Sequence, residues 1–550
     1  MFEKWQQEMD KGNVAMTMRD FASAETHFAL AAKEAEKFGH NNLSLALSLD
    51  RHAESLIQQA PLSNEQVEVC VNALERACNI YEAAHGPINL KVAELLNKLA
   101  RIIIWFDADQ SEKLARRSIS IYEELRSDSV ADPIEMLATV LLVQERKDER
   151  RETLENYVRK YESMEGASGV ALGRILITLA CSITDDDKAV LKHYQRAVEL
   201  LSDVPEQTKK VIEVKVQLGK MLFKEQRFSE AERMFESVIE QGECLPDVHS
   251  TTIEEAICRL ARLHCCFYED FDKARRLLKR AEEIRDPEAI PPFGTGIDIE
   301  NSNLASATGD YSKYEEITRE DLRKVREKMK NVSEADYVST LGFTRPAIEL
   351  ANILERKGAY EEAFQLWEEC ANFPTVDEWV IEPAKLKLAS AYVERGQIEK
   401  GRQLADWGLT RINNDTSDDA LMLSVIAECK LGRIENTEKS IAILEQRLAE
   451  LPDDYEDHYR PLPYLNLVIA YGVAGRDDDV KRTLQAMFDD EEDISIFRAM
   501  AYEGTAKSLD GYKLPEYATT LRERAREHRV KLLEREQERK RELEPGKPSG

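Results

Sequence analysis

One segment of this chain has a grammar that recurs along its length. Residues Val211 to Gln241 read VIEVKVQLGKMLFKEQRFSEAERMFESVIEQ. Val214, Leu218, Met221 and Leu222 fall at i, i+4, i+7 and i+8. After a short turn, Ala231, Met234, Phe235, Val238 and Ile239 fall at i, i+3, i+4, i+7 and i+8. Each set is one apolar stripe of an amphipathic helix, so the spacing predicts a helix–turn–helix hairpin with Phe228 in its turn. Ser229, with Glu232 three residues on, predicts a capping box at the start of the second helix. Such a hairpin cannot bury its apolar stripe alone, so it must stack on another hairpin.

The same order of signals returns. A first helix (A) ends in a polar turn, often with Gly; an aromatic or aliphatic residue follows; a second helix (B) then opens with a small residue near its start. Phe21 with Ala24, Phe228 with Ala231, Phe271 with Ala274 and Tyr360 with Ala363 are the clear instances. Fainter ones follow Gly309 (Tyr311), Gly396 (Ile398), Gly432 (Ile434) and Gly475. Between turn positions 228, 271, 311, 360, 398, 434 and 477 the steps are 43, 40, 49, 38, 36 and 43. Gly219, Ala351 and Ala389 on A helices, with Ala231 and Ala363 on B helices, let the paired helices approach. Phe28, Phe235 and Trp367 fill the space beside those crossings. At about 40 residues a step, the chain holds roughly a dozen units. The expected fold is all-α: an α-solenoid of about 12 stacked antiparallel helix pairs.

Composition narrows what such a stack can do. The formal charge of −28 disfavours binding to nucleic acid or an anionic membrane through a global field. Gly (23) and Pro (17) are sparse for 550 residues, as in a helical protein. No apolar run approaches the roughly 20 residues that span a bilayer, and the start of the chain has no apolar leader core. The nine Cys are odd in number and include no CxxC pair, so reduced thiols and a cytoplasmic location are expected.

Catalytic patterns are missing. There is no GxxxxGK[ST], HExxH or GxGxxG after a strand, and GASGVALG around Gly166 does not fit GxSxG. Cys258, His264, Cys265 and Cys266 are the best metal-like group, but Cys258 and Cys265 share one helix face and read as packing residues. Cys70 and Cys78 lie on a stripe with Leu74 and read as core. His27, His52, His85, His193, His249 and His458 show no triad spacing. The runs Asp185–Asp187, Asp453–Asp454, Asp477–Asp479 and Asp489–Asp493 lack the ligand spacing of a calcium loop and read as helix caps and solvated turns. No cofactor, no metal and no enzymatic activity are expected.

The pair Leu218-Gly219, then Ala231, Phe235 and the region near Val238, resembles the tetratricopeptide repeat. Phe21–Ala31, Leu350–Cys370 and Leu388–Gly408 match it too. ALERACNIYEAAHGPINLKVAELLNKLARI (Ala73 to Ile102) is similar to the longer kinesin-light-chain variety. The resemblance spans nearly the whole chain and is faintest around 130–170, 290–330 and 490–515. It implies that the second, fifth, sixth and ninth positions of helix A face a concave groove. Carried over, these are Asn97, Lys98 and Arg101; Gln217 and Lys220; Arg345 and Asn352; and Lys387 and Asn466. Amides of this kind can pair with an extended peptide's backbone, and the cations with its carboxylates.

Three Pro and two Gly between Asp286 and Gly296 must break helix. The expected organisation is a first array over 1–285, a loop or hinge over 286–298, a second array over 299–514, a charged helix over 515–544 and a disordered tail over 545–550. From Leu521 to Glu544 there are nine Lys or Arg and seven Asp or Glu, the alternating signs of a solvated helix. The expected function is a scaffold or adaptor that holds a peptide or helix of a partner protein. The alternatives are a small-ligand sensor or enzyme with a pocket in the solenoid, and self-association through the charged helix or uncapped ends.

Overall fold

The computed structural model describes residues 2–40, 42–59, 61–164, 168–245, 250–285, 296–330, 337–375, 378–411, 417–451, 461–489 and 494–543. By contacts the chain divides into two compact units, 1–221 and 222–550. The described residues form 26 α-helices, which alternate in chain order as thirteen A helices and thirteen B helices.

In unit 1 the pairs are α1 (Phe2–Thr17) and α2 (Phe21–Glu36), α3 (Leu43–Ile57) and α4 (Asn64–His85), α5 (Leu90–Ile103) and α6 (Ala108–Glu124), α7 (Ala131–Val143) and α8 (Lys147–Ser163), and α9 (Gly169–Ala180) and α10 (Asp187–Leu201). The division between units falls inside α11 (Thr208–Lys224). Unit 2 continues with α12 (Phe228–Glu243), α13 (Ser250–Cys266) and α14 (Phe271–Ile284), α15 (Gly296–Thr308) and α16 (Ser312–Lys328), and α17 (Tyr337–Arg356) and α18 (Tyr360–Ala371). It ends with α19 (Glu378–Glu394) and α20 (Ile398–Leu409), α21 (Asp418–Leu431) and α22 (Ile434–Ala449), α23 (Pro461–Val473) and α24 (Asp477–Asp489), and α25 (Ile496–Gly511) and α26 (Pro515–Leu543).

The turn positions read from the sequence are where B helices begin, with one offset: Phe21, Phe228, Phe271, Tyr360, Ile398, Ile434 and Asp477 each open one, and Tyr311 is the N-cap residue just before α16. The backbone explains the regularity. Two residues before each opening stands a residue of positive φ: Arg19, Gln226, Glu269, Gly358, Gly396, Gly432 and Gly475. That residue ends helix A in a Schellman turn, in which the next N–H reaches back five residues. Arg227 donates to the Leu222 carbonyl at 2.8 Å, Gln397 to Tyr392 at 2.9 Å and Arg476 to Tyr471 at 2.9 Å. The bond consumes a carbonyl that helix A would leave unpaired and aims the chain into helix B.

This geometry corrects the predicted capping box. With helix B opening at Phe228, Ser229 lies inside the first turn and Arg227 occupies the N-cap without a side-chain bond. The Ser229 N–H donates to Glu536 Oε1 at 2.9 Å, and Glu232 accepts from the Tyr268 hydroxyl at 3.0 Å. A carboxylate from far along the chain does the capping.

The crossing residues behave as their size requires. Ala231, Ala351, Ala363 and Ala389 are buried, as are Phe28, Phe235 and Trp367. At Gly401 a Cβ would stand 2.8 Å from the Ala389 carbonyl oxygen, so only glycine fits there. The three faintest stretches also fold as helix pairs, α7–α8, α15–α16 and α25–α26, which brings the pairs to thirteen. Of the predicted loop over 286–298, residues 286–295 lie outside the described residues and 296–298 begin α15. The charged helix is α26, 29 residues long, and the predicted tail lies outside the described residues. The loop residues Gly166 and Ala167, His249, His458, Asp453–Asp454 and Asp490–Asp493 also lie outside them. Among the described residues no helix is long and apolar enough to cross a membrane.

Candidate functional site

Each unit has an inner and an outer face, and the helix contacts say which is which. Successive A helices pack directly in both units: α5 on α7 and α7 on α9, then α13 on α15, α17 on α19, α19 on α21 and α21 on α23. Successive B helices are joined instead by long ion pairs. In unit 1 these are Arg76 to Glu36 at 2.6 Å, Arg117 to Glu82 at 2.5 Å and Lys160 to Glu123 at 2.6 Å. In unit 2, Arg319 on α16 reaches Glu362 on α18 at 2.6 Å. Helices that touch lie on the tighter side of a bend, and helices bridged only by extended side chains lie on the wider side. The A helices therefore line the inner face. Lys210 on α11 makes the point alone: it meets Glu135 on α7, two hairpins away, at 2.8 Å.

The inner face of unit 1 is a ladder of charges. On α3, Asp50 is only 3% exposed and holds Lys98 of α5 at 2.6 Å. Glu94 lies 3.2 Å and Glu54 3.9 Å from the same ammonium. Burial works against the Lys98 charge, but these three carboxylates overcome it and hold the ammonium above the ordinary lysine range. One rung on, Arg174 of α9 meets Asp132 at 2.6 Å and Glu135 at 2.8 Å, both on α7. Its neighbours likewise outweigh burial and raise its pKa.

The sequence-derived groove residues divide against this ladder. Lys98 is committed to Asp50 and has little charge left for a partner. Arg101, one turn on along α5, is exposed and makes no ion pair among the described residues. Asn97 beside them is 6% exposed, and its Oδ1 is buried without a hydrogen-bond partner. Gln217 and Lys220 follow on α11, both half-buried.

In unit 2, Lys387 of α19 reaches Glu355 of α17 at 3.0 Å, and that carboxylate also accepts from the Trp367 ring nitrogen at 3.0 Å. Lys430 of α21 continues the pattern, donating to Ser390 and Glu394 of α19, each at 2.6 Å. Arg345 lies 3.6 Å from Glu349 on its own helix. Asn352 is exposed on α17 and Asn466 half-buried on α23.

The acids of the ladder, Asp50, Asp132 and Glu135 above all, are partners of the inner-face cations that sequence reasoning missed. Only the i, i+4 pair Glu94–Lys98 was visible in the sequence; the partners 39 to 75 residues away needed the fold. The metal-like group is packing: Cys258, Cys265 and Cys266 are buried on α13, and His264 lies 3.2 Å from Glu232. Among the described residues no cluster of His, Cys, Asp and Glu has the geometry to hold a metal. Chemically, the described residues of the inner face offer amides, the unengaged Arg101 guanidinium and paired charges that an incoming polar chain can re-pair.

No family model matches this chain, and neither does any curated protein. Solved structures do. Apo NprR, a quorum sensor from B. thuringiensis, is 11% identical, with 66% of this chain and 97% of that one covered at a TM-score of 0.39. BtubC (BKLC) from P. vanneervenii is 20% identical over 42% of this chain and 95% of its own, at 0.36. Aspartyl phosphate phosphatase F from Bacillus subtilis is 12% identical over 66% and 92%, at 0.34. On the evidence of its own helices, turns and inner-face packing, the chain is an all-α solenoid of tetratricopeptide-like hairpins.

Proposed function

We propose that the chain is a non-catalytic adaptor whose inner helix face holds a peptide or helix of a partner protein. The observation that carries this is on α5. Arg101 is exposed there and makes no ion pair among the described residues. A carboxylate of the partner would meet the guanidinium. Lys98 is a positioning residue in this reading, because its ammonium holds Asp50 and fixes α5 against α3.

The test is selection from a displayed random-peptide library with the full chain, then titration of enriched peptides against the Arg101→Glu variant. Enriched peptides should carry a carboxylate and should bind the variant at least about tenfold more weakly. No enrichment, or equal binding by the variant, would overturn the proposal.

A further inference from the structure

The last hairpin of unit 2 has two unlike sides. Toward its chain neighbours it is apolar: Tyr502, Ala506, Leu509, Leu521 and Ala525 join Leu465, Val468, Val480 and Leu484 in one buried cluster. Its other side meets the opening helices of the same unit, more than 200 residues back, through a set of hydrogen bonds and ion pairs, while Ile496 and Leu532 are buried outside that cluster. The Gln226 side chain donates to the Ile494 carbonyl at 3.0 Å and accepts from the Ile496 N–H at 3.1 Å. Glu536 caps α12 through the Ser229 N–H, and Arg539 donates to the Gln226 carbonyl at 3.2 Å. Arg529 bridges Glu269 to Glu503, and Lys507 donates to the Ser306 carbonyl. One aromatic pair, Phe223 and Phe497, stands at the end of this seam with ring centres 5.8 Å apart.

We propose that the α25–α26 hairpin is a detachable latch: unit 2 opens at the polar seam between this hairpin and α12–α15, and a partner segment gains the inner face by displacing it. Apolar burial has no substitute in water, whereas each hydrogen bond of the seam is exchanged for one to water at a small net cost. Opening therefore follows the polar side and leaves the cluster with α23 and α24 closed. The latch also ends near a candidate groove residue. Lys507 is tied to α15, and Tyr512, just past α25, lies close enough to Lys387, Glu355 and Glu394 for their charges to act on its hydroxyl. A partner segment that displaced the latch would enter this neighbourhood of Lys387. This last step rests on the adaptor reading; the opening itself does not.

Hydrogen exchange read by mass spectrometry tests it on the full chain, wild type beside Arg529→Ala/Glu536→Ala. Peptides covering 226–230 and 494–498 should exchange roughly tenfold faster in the variant, with α23 and α24 unchanged. Unchanged rates at the seam, or equal acceleration across unit 2, would overturn the latch. Should the variant not fold, the wild type is compared at about 0.1 M and about 1 M salt, where the same two peptides should speed up and a flat response would overturn the proposal. Peptides from the library selection are then titrated against the variant. Tighter binding than to wild type supports displacement, and seam opening without any gain in binding keeps the latch and overturns the adaptor reading for unit 2.

Discussion

Asn97 shows how far a single residue was readable. Its place in helix A and its amide were on the page of the sequence; that its Oδ1 is buried with nothing to accept from was not, because burial depends on helices far along the chain. Natural proteins tolerate an unpaired buried acceptor mainly where it serves something else. Asn97→Leu should therefore raise the unfolding free energy by about 1 kcal/mol in a urea titration. A loss of stability instead would mean that the amide is satisfied in solution. The Ser229–Glu232 pair taught the reverse lesson: the right spacing for a capping box sits one turn too deep, and the tertiary partner Glu536 takes the job.

Between elements, turns were the most legible part and ion pairs the least. Gly358, Gly396, Gly432 and Gly475 announce a left-handed residue because they meet it without steric cost. Gln226 and Glu269 hold the same conformation with side chains that disfavour it, and both are tied into the seam of unit 2. There the side chain's tertiary bond outweighs the backbone preference, which no local pattern reveals. The Lys98–Asp50 pair joins α5 to α3 across 48 residues. Lys98→Met should cost about 3–5 kcal/mol by leaving Asp50 buried and uncompensated. Lys98→Met/Asp50→Leu should recover most of it, since no charge is then stranded. Chemical denaturation of the three chains decides this, and equal loss in single and double variants would count against the pair.

Across the whole molecule, the helix-pair architecture was readable because period and stripe survive even where the repeat is faint. The closure of unit 2 was not: the alternating charges of α26 look the same whether they face water or another helix. Thiol chemistry offers an independent check on the packing. Burial pushes the Cys70 and Cys78 thiols up to about 11 and Cys370 to about 12, while Cys181 and Cys244 are exposed. At pH 8 a disulfide reagent should modify Cys181 and Cys244 quickly and the half-exposed Cys429 more slowly; the six buried thiols should react only in denaturant.

The outer-face ion pairs carry a mechanical consequence. Bending a unit stretches the spacing between B helices and compresses that between A helices. The compressed side is close-packed side chain and yields little. The stretched side is held by extended Arg–Glu and Lys–Glu spokes in water, whose pull weakens as salt shortens the reach of charge. Each unit should therefore act as a leaf spring with a stiff inner layer and an outer layer tuned by ionic strength, its curvature an adjustable quantity where that of a close-packed globule is set by its core.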